Sequence, residues 1–113
     1  MTQSERLLHR IAGHITNSGY RYLAHAVDLA RELSPYPFRR LTTTLYPLVA
    51  DRFAVSHETV TRSIARAVQD IWLNGDRDVL EEIAGRQLAG KPSPGEVIYF
   101  LATYLNDRNG ITS

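Results

Sequence analysis

Residues 56–74 carry the pattern that most limits the fold. Advancing about 100° per residue, Val60, Ile64, Ala67, Val68 and Ile71 gather on one side of a helix, and Glu58, Arg62, Ala65, Arg66 and Gln69 gather on the other. Ser56 is a natural N-cap, Val55 before it can pack on Val60 as a hydrophobic staple, and Glu58 sits in the first turn, where the helix dipole favours an anion. Asn74-Gly75 supplies the stop.

The remaining sequence repeats helical spacing almost throughout and offers no alternating run bounded by turn pairs, so an all-α, six-helix domain is expected. A first helix starts from about Ser4 as cap and turns Leu7, Leu8 and Ile11 inward. A second starts near Gly19 or Tyr20 with Leu23, Val27, Ala30 and Leu33 inward, and SPYP at 34–37 ends it. The third lies between Leu41 and Phe53, either kinked at Pro47 or beginning near Tyr46 with Pro47 in its first turn. After the long fourth helix, Asp76 caps a short fifth over 78–84. Ser93-Pro94-Gly95-Glu96 then opens the sixth as a capping box with proline at its first position, burying Val97, Phe100, Leu101, Tyr104 and Leu105.

The stretch VADRFAVSHETVTRSI, residues 49–64, has the order of a helix-turn-helix spanning about 41–73. A small residue, Ala50, sits at a close crossing, Phe53-Ala54-Val55 makes the turn, Ser56 caps, and Val60 locks the second helix to the first. Such a pair presents its second helix to the DNA major groove. Arg62 and Arg66 share its solvent face near the N-terminal half, and arginine can pair with guanine O6 and N7 for about 1–3 kcal/mol of discrimination per contact. The alternative for that face is a solvated one, with Arg62 paired to Glu58 and Arg66 to Asp70 at i,i+4 spacing. One residue resists the motif: the turn often needs positive φ, which at Ala54 costs about 1 kcal/mol, so another turn geometry is expected.

Length and composition set the surrounding bounds. With 113 residues and 43% hydrophobic content, residues 1–113 suit one domain. There is no cysteine, hence no disulfide framework or thiolate metal site, which fits a reducing cytoplasm. The N-terminus does not read as a signal peptide, and no apolar stretch approaches the roughly 20 residues of a membrane span. A formal net charge of +1 means that any basic surface is local. His9, His14 and His25 show no triad or metal spacing, so neither a catalytic site nor a cofactor is expected.

From Leu8 to Leu105 the chain resembles the C-terminal effector domain of the sporulation-initiation (stage zero) response regulator family. The correspondence rests on Gly19-Tyr20, Tyr22-Leu23 and Ala26; on Leu45-Tyr46-Pro47 with Ala50 and Phe53; on Val60, Arg62, Ile64, Ala67, Trp72 and Gly75; and on Lys91-Pro92 and Glu96. The resemblance implies a six-helix DNA-binding domain that recognises a short promoter element, often as a dimer on paired sites, and regulates transcription through the transcription machinery. Arg62 falls on a family arginine and Thr61 on a usually acidic position beside it. Thr59 and Ala65 stand where further family arginines are expected, and Arg66 occupies the neighbouring position, which implies a different specificity or weaker affinity. The family's regulator carries an N-terminal phosphoacceptor domain, for which the residues before the effector region leave no room; of a stand-alone relative and an excised domain, the MTQSERLL start makes the first the expectation.

The expected reading is a sequence-specific double-stranded DNA binder. Arg62 and Arg66 read bases with help from Thr59 and Thr61, and Arg39, Arg40, Arg52, Ser56 and His57 hold the backbone. The competing reading is a protein-interaction module on the same fold that has lost specific DNA binding; the near-neutral charge and Ala65 favour it.

Overall fold

The computed structural model describes residues 2–16, 18–32 and 44–109. Its six helices are α1 (Gln3–Ile11), α2 (Gly19–Glu32), α3 (Tyr46–Phe53), α4 (His57–Asn74), α5 (Arg77–Ala84) and α6 (Pro94–Asn109), with no strand among the described residues. The all-α expectation holds. The third helix takes the second of its two expected forms, starting at Tyr46 with Pro47 in the first turn, where a missing N–H costs nothing. Leu33 and the SPYP stretch lie outside the described residues.

The start of α1 corrects the sequence reading. Thr2, not Ser4, is the cap: its side chain accepts from the Glu5 N–H at 3.1 Å, and Glu5 accepts from the Thr2 N–H at 2.8 Å. Both residues are hydroxyl caps by type, and the choice falls to Thr2 because Ser4 is engaged elsewhere. Ser4 is buried and donates to Asp28 on α2 at 2.7 Å, pinning α1 to its neighbour. The other caps fall as expected. Asp76 accepts from the Val79 N–H at 3.1 Å, and Ser93 and Glu96 exchange bonds at 3.2 and 2.8 Å.

Helix α2 is the hub. It packs mainly against α4 and α6, with α1 also against it, while α3 lies on α4. The core joins Leu8 and Ile11 of α1, Leu23 and Val27 of α2, Val60, Ile64 and Ile71 of α4, and Val97 and Leu101 of α6. Each such side chain stabilises the fold by about 1.5–3 kcal/mol relative to exposure. Two close approaches set how α4 sits. A Cβ on Gly19 would overlap the Ser63 carbonyl oxygen, and one on Gly75 would overlap that of Ile11. Gly75 has φ −92°, so it closes α4 by admitting the end of α1 rather than by a left-handed turn.

Candidate nucleic-acid interface

Helices α3 and α4 form the helix-turn-helix, and the turn overturns the expectation about Ala54. Ala54 takes the left-handed conformation, φ 55° and ψ 46°, the geometry for which glycine is usual. Bonds from two successive N–H groups hold it there. The Ala54 N–H donates to the Asp51 carbonyl at 3.3 Å and the Val55 N–H to the Ala50 carbonyl at 3.0 Å, so otherwise orphaned carbonyls of α3 are satisfied. These bonds, with Ala50 buried and Val55 packed on the core, offset a strain of about 1 kcal/mol.

The chain then enters α4 through Ser56. Its hydroxyl accepts from the Thr59 N–H at 3.0 Å and pairs with the Thr59 hydroxyl at 2.8 Å. The side chains of Ser56 and Thr59 thereby build the helix start. Thr61 donates to the His57 carbonyl at 3.0 Å, which leaves its methyl group and oxygen lone pairs for an outside partner. His57 is exposed, its ring edge-on to buried Tyr46 with centroids 6.4 Å apart. Burial pushes the Tyr46 phenol up to about 12. His57, Glu58, Thr61 and Arg62 line one open recess on the surface of α4.

The two faces of α4 fall where the sequence places them. Val60, Ile64, Ala67, Val68 and Ile71 are buried, and Glu58, Arg62, Ala65, Arg66 and Gln69 are exposed. Neither pairing of the solvated-face alternative is present: among the described residues, Arg62 and Arg66 form no ion pair. Asp70 is turned toward other donors. The Tyr20 hydroxyl reaches it at 2.5 Å, the His14 backbone N–H at 2.6 Å, the His14 ring at 2.7 Å and the Asn74 amide at 2.9 Å. Burial opposes ionisation of Asp70, but the bonds from Tyr20, His14 and Asn74 outweigh it and hold the carboxyl well below the usual carboxylate range. Burial first, then the bond to Asp70, hold the Tyr20 phenol above its ordinary range.

Of the expected backbone contacts, Arg52 is exposed at the end of α3 with its guanidinium 5.5 Å from the Phe53 ring centroid. Arg39 and Arg40 lie outside the described residues. The structure adds Arg21, which the sequence reading passed over. It stands in the first turns of α2, and its guanidinium lies 5.3 Å from the same ring. No helical spacing links residue 21 to residue 53, so only the tertiary fold reveals the pair.

Elsewhere the aromatic residues divide. Phe100 is core, Tyr99 is 43% exposed, and Trp72 is partly buried under Arg77, whose guanidinium stacks 3.9 Å from its ring. Among the described residues there is no group of three or more His, Asp or Glu side chains able to hold a metal ion, and no helix long and apolar enough to cross a membrane.

Residues 5–105 match the protein family described as Sporulation initiation factor Spo0A C terminal. The match spans nearly the whole chain and takes in all of α2 to α5, the helix-turn-helix included. That family comprises DNA-binding effector domains of sporulation regulators, not enzymes. By sequence match and by its six-helix architecture, this chain belongs to the Spo0A C-terminal family of DNA-binding domains.

Proposed function

We propose that the chain reads a specific double-stranded DNA sequence by placing the exposed face of α4 in the major groove. Arg62 and Arg66 contact base edges, Thr59 and Thr61 assist, and Ser56, His57, Arg52, Arg39 and Arg40 hold the phosphate backbone. The observation that carries this reading is the state of the two arginines. Both stand exposed one turn apart on the second helix of a helix-turn-helix, with no ion pair to their own chain among the described residues. Their donors remain available for the paired bonds that guanine offers.

Threonine at 59 and alanine at 65 leave fewer charged contacts on this face than the resemblance implies for the family, so either the preferred site differs from the family's or the affinity is lower. Family membership supports action as a transcription regulator, with two copies on paired sites and onward contact to the transcription machinery. The competing reading, a protein-interaction module, draws on Leu73, which is 61% exposed at the end of the same helix.

The test is selection of duplexes from a randomised pool by the purified protein, followed by fluorescence anisotropy at two salt concentrations. An enriched sequence bound more tightly than its scrambled control, with affinity falling as salt rises, supports the reading. Absence of binding at low salt, or equal binding of both duplexes, overturns it in favour of a protein partner.

A further inference from the structure

Phe53, the last residue of α3, holds two cations from different helices. The guanidinium of Arg21 on α2 lies 5.3 Å from its ring centroid and that of Arg52 on α3 lies 5.5 Å away, both within the range of a cation–π contact. Tyr22 and His25 meet the same ring at 5.0 and 5.7 Å in edge-on geometry, so Phe53 is held on the α2 side. Among the described residues neither arginine forms an ion pair. Arg21 shares a small recess with Glu5, whose carboxylate accepts from the Thr2 N–H at 2.8 Å.

The location of this pair matters as much as its chemistry. Gly19 lies against Ser63 and Ala67, the neighbours of Arg62 and Arg66, so the first turns of α2 run along the flank of the recognition helix. Phe53 stands at the other side of the turn that leads into it. The two guanidinium carbons are no further apart than their two centroid distances added together. Both charges are therefore gathered at one place on the surface, and both residues are exposed.

We infer that Arg21 and Arg52, organised by Phe53, form a clamp for the DNA phosphate backbone beside the recognition helix, and that Arg21 is a DNA contact. Contact with an aromatic ring fixes a guanidinium through its charge and its flat face, leaving its N–H edges to donate to phosphate oxygens. Prior placement of both heads lowers the ordering cost of binding. The clamp rests on the proposed DNA reading and carries no sequence information itself.

The experiment is the salt dependence of affinity for a bound duplex and its scrambled control, measured for the wild type, Arg21→Gln, Arg21→Lys, Arg52→Gln and the double glutamine variant. Each single glutamine variant is expected to weaken both duplexes severalfold and to lower the slope of log affinity against log salt by about 0.9. The double variant lowers it about twice as far, and Arg21→Lys keeps the wild-type slope because it keeps the charge. Arg21→Gln with wild-type affinity and slope would overturn the clamp, as would a loss in Arg21→Gln and Arg21→Lys alike with the slope unchanged. If Arg62→Ala still abolishes sequence preference in that case, the base-reading account stands without the clamp. A wild-type protein that binds no duplex overturns both.

Discussion

Tyr20 donates its hydroxyl proton to Asp70 across 2.5 Å, and that one bond ties the first turn of α2 to the C-terminal half of α4. It also bears on Arg66. The carboxylate one turn along α4, which could have neutralised Arg66, is instead saturated by Tyr20, His14 and Asn74. A fold contact thus leaves Arg66 uncompensated by Asp70 on the exposed face of α4, in a chain of net charge +1.

Replacing Asp70 by alanine removes the acceptor shared by these donors and is expected to cost about 1–3 kcal/mol of stability. The penalty depends on pH. Because the folded carboxyl is held below its unfolded value of about 4, its contribution is complete above about pH 5 and is lost as pH falls below the ordinary aspartate range. Urea denaturation of wild type and variant across that range checks it: the stability difference shrinks toward acid, and a constant difference contradicts the assignment.

At the turn, Ala54→Gly relieves a left-handed alanine while freeing the unfolded chain, for a net gain of about 0.5–1 kcal/mol. Thermal unfolding should rise by roughly 2–5 °C, with duplex preference unchanged. A lower melting temperature would mean that the turn does not hold this conformation in solution.

The packing of α2 on α4 predicts a contrast between two glycines. Gly19→Ala pushes a methyl group into the Ser63 carbonyl and should cost roughly 1–3 kcal/mol. Gly90→Ala meets open space and should stay within about 0.5 kcal/mol of wild type. Equal stabilities for the two variants would contradict the close approach.

Much of this fold was legible because its signals are local. The apolar spacing of α4, the caps at Ser56 and Asp76 and the Ser93–Glu96 box each lie within a few residues, and each appears where expected. Most of what was not legible involves partners distant in sequence, with the turn at Ala54 the local exception. Ser4 is a competent cap until Asp28, 24 residues away, claims its hydroxyl. Asp70 looks like a partner for Arg66 until Tyr20 and His14, 50 and 56 residues before it, take its oxygens. Ala54 argued against the usual turn by propensity alone, and the backbone bonds of the turn outweighed that preference. Arg21 gave no local sign of a shared ring with Arg52.

The most direct measurement is the ratio of affinities for an enriched duplex and its scrambled control, compared between wild type and Arg62→Ala. The account predicts that the ratio collapses toward one while the affinity for scrambled DNA falls only modestly, a selective loss of about 1–3 kcal/mol per base contact. A variant that weakens both duplexes equally, leaving the ratio intact, would contradict base reading by Arg62.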